Sequence, residues 1–233
     1  MKSSKQIIKD YCQEQNLNFS LIEEYVQLLL EKNKVINLIG FNEEELWKEG
    51  ILSSLQCLIE INKYKEIDNK TKILDIGAGS GLPSIPYMLL FPNINLTIYE
   101  PIRKRFDFLV EIKNHFKLTN LTIKCLRAEE AKEDTANFDL ITARAVSELK
   151  NLIFASYHLL KTNGSFVFIK GKNYNEEVLN AQKKVTDISI NFKIQKVAKI
   201  EENDTYDNYL VICKKQDKTP NNWPLTWNQI LKK

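Results

Sequence analysis

The chain has 233 residues, 43% of them hydrophobic and 27% charged, and a formal net charge of +3. This length can bury a full core and this balance excludes a wholly disordered chain, while so small a charge does not by itself mark a nucleic-acid binder. The longest apolar clusters, such as VQLLL and YMLLF, fall far short of the roughly 20 residues that span a bilayer, and the charged N-terminus lacks the apolar core of a secretory signal, so a cytoplasmic protein is expected.

Residues 4–60 read as helical. Leu21, Ile22, Tyr25, Leu28 and Leu29 recur at spacings of three and four, which gives one apolar face, and EEELWKEGILSSLQCLIEI repeats the pattern. These helices precede the first strand and are expected to form an N-terminal helical extension or cap over residues 1–68. The period then changes. KILDIGA, LTIYEP, LTIKCLRA, DLITARA and SFVFIKG are short apolar, β-branched or aromatic runs. Helical segments at 82–91, 102–117 and 148–161, and a short turn after Glu129, separate them. The alternation predicts an α/β domain over residues 69–216, a mostly parallel sheet with helices on both faces. NYNEEVLNAQKKVTDI adds a helix. FKIQKVAKI and NYLVICKK, joined by EENDTYD, predict an antiparallel pair at the sheet's end. Residues 217–233 hold turn residues and two tryptophans without strong periodicity. Five lysines against Asp217 from Lys214 onward mark a basic tail. Cys12, Cys57, Cys125 and Cys213 are scattered, with no zinc-like or redox spacing, and no metal is expected.

Three of the seven glycines, Gly77, Gly79 and Gly81, stand at alternate positions where the first strand would turn into its helix. Ligands of open parallel sheets bind there, outside the carboxyl ends of the strands. Glycine lets the backbone turn tightly and approach a ligand closely. Two cofactor classes compete. A dinucleotide site wants G-x-G-x-x-G with pyrophosphate on the helix N-terminus, but here the third glycine comes one place early and Asp75 lies two residues before the first. A carboxylate beside that turn repels a pyrophosphate and suits a ligand with a cationic end.

LDIGAGSG resembles the first motif of class I S-adenosylmethionine-dependent methyltransferases, an acidic residue two before G-x-G-x-G. The resemblance implies a Rossmann-like sheet and S-adenosylmethionine as cofactor. By position, Glu100 at the second strand's end can accept from both ribose hydroxyls, and Ala128 and Glu129 at the third contact the adenine edge. Solvated acids at helix N-termini are the bland alternative for both glutamates. Asp75, Gly77, Gly79, Gly81 and Leu82 complete the implied cofactor set, with Arg144.

GAGSGLPSIP, RKRFDFLVEIKNHFKLTNL, RAEEAK, FDLITARAV, LLKTNGSFVFIKG and KTPNNWP stand in the order typical of one bacterial family. The chain resembles the 16S ribosomal RNA guanine-N7 methyltransferases, also called the glucose-inhibited division protein B family. The resemblance implies transfer of the methyl group to a guanine N7, with 16S ribosomal RNA or the small ribosomal subunit as partner. A monomer is expected. Guanine N7 carries a free lone pair, so no general base is needed, and the presence of only His115 and His158 is no obstacle. The resemblance implies Arg144 and Lys170 at the catalytic centre. An ion pair of Arg144 with Glu100, Glu129 or Glu148 is the structural alternative. Arg103, Arg105, Lys170 and Lys172 are the implied RNA contacts.

The chain also departs from the family. The usual His-x-x-Asp-Ser-Leu of the N-terminal helices is here GILSSL, with Gly50 and Ser53 at the His and Asp positions, and the usual Gly of PGIP is Ser84. A methyltransferase acting on a small molecule or protein, and a non-catalytic RNA-binding assembly factor, stay open as alternatives.

Overall fold

The computed structural model describes residues 2–186, 188, 190–196 and 208–233. Ser3 caps α1 (Ser4–Glu14) and Asn18 caps α2 (Phe19–Ile36), each side-chain oxygen accepting from a first-turn N–H. A continuous helical run follows. It passes from α3 (Glu43–Glu45), with a capping box between Asn42 and Glu45, through a π-helical stretch, Leu46–Leu52, into α4 (Ser53–Tyr64). The 3.6-residue pattern gives no sign of the π stretch, and such segments concentrate where a helix serves a site.

Among the described residues seven strands form one sheet, in the order β3 (Leu121–Lys124), β2 (Asn95–Tyr99), β1 (Lys72–Ile76), β4 (Phe138–Arg144), β5 (Leu160–Lys170), β7 (Tyr209–Lys215) and β6 (Ile190–Lys196). β1 to β5 run parallel, and β7 is antiparallel to both β5 and β6. The fold is therefore the expected Rossmann-like sheet ending in an antiparallel strand. The strand order reverses between β1 and β4, which opens a crevice at their carboxyl ends. The expected link EENDTYD, residues 201–207, and the end of the strand before it, residues 197–200, lie outside the described residues.

Two apolar cores flank the sheet. On one face Ile8, Tyr25, Leu29, Ile51 and Ile61 of the N-terminal helices join α5 (Ser84–Leu90), α6 (Arg103–His115) and strand residues Ile73, Ile98, Leu140 and Val167. The N-terminal helices thus share their core with the sheet. On the other face Leu74, Tyr99, Ile141 and Phe166 pack under α7 (Leu149–Ser156), α8 (Tyr174–Lys184) and α9 (Trp227–Lys232). One expectation changes. α7 stops at Ser156 and does not run to residue 161, because Leu160 already pairs with Phe138 as the start of β5. The tail, whose sequence shows no strong periodicity, carries α9, whose Ile230 is fully buried. No described helix is long and apolar enough to cross a membrane.

His158, fully buried beyond α7, gives the fold a pH signature. Burial pushes its imidazole, both of whose nitrogens lack a hydrogen-bond partner, down to about 4, with the Ala131 backbone opposing and the Lys215 charge reinforcing the shift. The unfolded chain binds this proton near pH 6.5, so the His158 contribution to stability is complete above that pH and is lost as the pH falls towards 4. We expect urea unfolding to show wild type losing about 2 to 3 kcal/mol relative to His158→Leu between pH 7 and pH 4. A pH-independent difference would show that the imidazole does not titrate low.

Candidate functional site

Successive residues of a strand face opposite sides of a sheet. In β1, Leu74 and Ile76 join the core under α7, whereas Asp75 points to the N-terminal face, where its Oδ2 accepts from Ser84 Oγ at 2.5 Å. Asp75 is fully buried and its Oδ1 has no partner. Burial pushes its carboxyl up to about 7, the Ser84 hydrogen bond and the Arg144 charge pull it down, and Glu100 pushes it up.

The chain leaves β1 through Gly77, whose N–H donates to Tyr99 O at 2.7 Å. Gly77, Gly79 and Gly81 all have positive φ, at +68°, +60° and +105°. Two of them also need the missing Cβ. On Gly77 it would stand 2.8 Å from Val146, and on Gly81 2.6 Å from Ile85. From α2, Tyr25 Oη donates to Ser80 O at 2.8 Å and so holds the loop from behind.

In front of the loop lies a cavity of about 310 Å³ at the ends of β1, β2, β3 and β4. Gly77, Glu100, Ala128 and Glu129 line it. Asp75, Gly79, Gly81 and Leu82 are not among its lining residues; they shape the loop behind it. Glu100 is almost fully buried, with one oxygen accepting from Gly79 N and the other from Ile102 N, both at 2.9 Å. These bonds fix the carboxylate and leave each oxygen a further lone pair for a hydroxyl. Glu129 Oε1 is buried with no hydrogen-bond partner. An oriented carboxylate, an orphaned acceptor and apolar walls from Ile76, Leu126 and Leu152 fit an adenosine-bearing cofactor. Glu100 offers acceptors suited to ribose hydroxyls, and Glu129 Oε1 one suited to an exocyclic amine.

A second cavity of about 490 Å³ adjoins the first and is lined by Glu49, Ser53, Arg144, Glu148, Lys170 and Asn208 among others. Ala145, Val146 and Ser147 line both cavities and so form their common wall. Arg144 faces the N-terminal side, where its two terminal nitrogens donate to Ser54 Oγ at 3.0 Å and Glu49 O at 2.9 Å. The ion pairs weighed for it with Glu100, Glu129 or Glu148 do not form among the described residues. Burial lowers its pKa, with Cys57, Asp75, Glu49 and Tyr25 opposing. The departures from the family lie beside it. A Cβ on Gly50 would meet Leu46 at 2.7 Å, so a histidine there needs Leu46 to move, and Ser53 Oγ accepts from Asn208 at 2.9 Å.

Lys170 enters from the opposite face. Its ammonium is buried against Glu177 Oε2 at 2.6 Å and Ser147 O at 2.9 Å, and the same Glu177 oxygen accepts from Leu149 N at 2.9 Å. Lys170 is therefore committed to bracing the common wall. Arg103 lies on the outer surface in an ion pair with Asp107. Arg105 differs from the expected surface role. It lines the first cavity, and its buried Nε has no partner. Lys172 is exposed beside Gly171 of the second cavity. Two residues escaped the sequence reading. Glu177 was one acid among several in a helical stretch, and nothing in the sequence joins it to Lys170. Trp227 lines the first cavity, and the T-x-x-Q capping box of Thr226 and Gln229 was the available signal.

The family model for GidB, rRNA small subunit methyltransferase G, matches residues 18–205. The chain is 41% identical over 186 residues to a Mesomycoplasma hyopneumoniae protein named ribosomal RNA small subunit methyltransferase G, covering 78% of this chain and 86% of that protein. It is 33% identical over 217 residues, 92% of each chain, to the protein of that name from Mycoplasmopsis pulmonis. Its fold is similar to the crystal structure of tRNA (m1A58) methyltransferase TrmI from Aquifex aeolicus, with a TM-score of 0.52 at 13% identity over 71% of this chain and 69% of that one.

The Lys170–Glu177 pair sets a testable energetic cost. Glu177→Ala leaves a buried ammonium and the Leu149 N–H without their acceptor, and urea unfolding should show a loss of about 3 kcal/mol. Glu177→Gln keeps a carbonyl acceptor and should lose less. Equal, small losses in both would show that the pair does not brace the wall.

Proposed function

The chain belongs to the GidB family, rRNA small subunit methyltransferase G, and on that premise we propose that it transfers a methyl group from S-adenosylmethionine to N7 of a guanine in 16S ribosomal RNA. The observation that carries the reading is the pair of adjoining cavities with the common wall 145–147. One is suited to a nucleoside-bearing donor, and the other is wider and polar. When bound, the cofactor supplies a methyl group on a cationic sulfur. The protein's task is to align that group with the acceptor, because N7 offers its lone pair without deprotonation.

In this reading Glu100 and Glu129 hold the adenosine, Gly77 lets it approach the backbone, and buried Asp75 sets the loop beneath the cationic end. The guanine enters the second cavity. Its N–H edge suits the carboxylates of Glu49 or Glu148, and its O6 suits a donor. Arg144 has N–H groups beyond the two already used, and its task is to bond O6 or a phosphate while leaving N7 free. Lys170 acts through the wall, since its ammonium is already held by Glu177 and Ser147. Arg103 and Lys172 belong to the surface offered to RNA phosphates. The division into a helical extension, a cofactor domain and a tail at residues 68 and 216, a monomeric state and a cytoplasmic location are kept as parts of the same reading.

The test is incubation with S-adenosylmethionine and small ribosomal subunits or 16S RNA lacking the modification, followed by mapping of 7-methylguanine. One modified guanine is expected, with binding that weakens as salt rises. Cofactor binding without methylation of any ribosomal assembly state would sink the substrate assignment. Glu100→Ala should weaken S-adenosylhomocysteine at least tenfold in calorimetry, since a charged hydrogen bond contributes about 1.5 to 3 kcal/mol. Arg144, implied for the cofactor set, lines the second cavity and not the first, so Arg144→Ala should bind S-adenosylhomocysteine normally and lose methyl transfer.

A further inference from the structure

The C-terminal tail is built into the wall of the first cavity. Lys215, the last residue of β7, is buried and donates to Tyr157 O, Leu160 O and Thr219 Oγ1 at 2.9, 2.7 and 2.7 Å, which pins the start of the tail to the turn after α7. Trp223 then packs its ring against Phe154 and Tyr157, with centroids 5.9 and 5.1 Å away. Leu225 and Ile230 are buried in the same core. Between them Thr226 caps α9, its N–H donating to Gln229 Oε1 at 2.8 Å. A basic tail held only by charge would show none of this.

This anchoring presents Trp227, the first residue of α9, to the cavity. Trp227 is half-buried, packs against the core and lines the cavity. α7 packs against both α9 and the 3-10 turn Ala128–Glu130. Trp227 and the Ala128–Glu129 turn thus reach the same cavity from elements that share α7 as their support. The cavity combines an apolar lining of Leu126, Leu152 and Ala155 with the orphaned acceptor Glu129 Oε1. A flat heteroaromatic base with an exocyclic amine satisfies both. An indole lining the same cavity adds a stacking surface for such a base.

We propose that Trp227 is a cofactor-binding residue that packs against the adenine base, making the C-terminal helix a working part of the methyl-donor site. The proposal rests on the reading of this cavity as the S-adenosylmethionine site.

The chain has three tryptophans, so intrinsic fluorescence can report on one of them. The probes are S-adenosylhomocysteine, adenosine and methionine, titrated into the full chain, with calorimetry as an independent measure of affinity. We expect S-adenosylhomocysteine and adenosine to quench emission and methionine to leave it unchanged. The quench should vanish in Trp227→Phe and persist in Trp223→Phe and Trp47→Phe. Trp227→Ala should weaken S-adenosylhomocysteine about tenfold, while Trp227→Phe, which keeps an aromatic face and the packing of α9, should weaken it less than threefold. A full quench in Trp227→Phe, together with unchanged affinity in Trp227→Ala, overturns the assignment and leaves the cofactor reading standing. Absence of calorimetric binding to the unmodified protein overturns the cofactor reading, and the role of Trp227 with it.

Discussion

Side chains along a strand alternate between the two faces of the sheet, and the whole site depends on that constraint. It sends Asp75 and Arg144 towards the N-terminal helices and Lys170 towards α8. Two cations then approach one cavity from opposite sides of the sheet, each held by a different layer of helices. Arg144 is tied to Ser54 and to the Glu49 carbonyl, and Lys170 to Glu177 and the Ser147 carbonyl. The turn 145–147 between them can be a thin wall because its ends are fixed from both faces.

The same logic explains why the N-terminal helices are more than a cover. Tyr25 reaches the glycine loop at Ser80, and the π-helical stretch ends beside Ser53 and Ser54, which receive Asn208 and Arg144. With its core continuous with that of the sheet, the N-terminal helical part supplies one side of the second cavity through Glu49 and Ser53. Its departures at Gly50 and Ser53 are thereby changes in that cavity's lining and support. Gly50 sits where a side chain would strike Leu46, and Ser53 is small enough to pair with Asn208.

Much of the site was legible because its signals are local. The spacing of Gly77, Gly79 and Gly81 meant a tight turn and close approach, and the structure gives all three a positive φ. Glu100, Ala128 and Glu129 followed from the methyltransferase resemblance applied to strand ends, and all three line the first cavity, although β3 stops at Lys124 and Ala128 and Glu129 stand in the 3-10 turn beyond it. The illegible part consists of partners brought together by packing. Nothing along the chain says that Lys170 spends its charge on Glu177, or that Arg105 turns inward while Arg103 stays outside. Nor does it say that Asp75 lies behind the glycine loop and bonds Ser84.

The sequence by itself determined the parallel sheet, the position of the crevice and the residue types at its rim. Strand periodicity and glycine conformation are properties of a few consecutive residues. Only the tertiary structure decided which charges are free and which are spent, and which distant segments close the cavities. Hydrogen-bond partners, burial and shared walls depend on residues separated by 55 positions for Tyr25 and Ser80, and by 90 for Ser54 and Arg144. The tail shows the division most plainly. Its lysines and turn residues read as a basic tail without periodicity, yet the buried anchor of Lys215 and the aromatic packing of Trp223 accompany a Trp227 that lines the first cavity. Burial of that kind is fixed by the core it joins, and no local pattern encodes it.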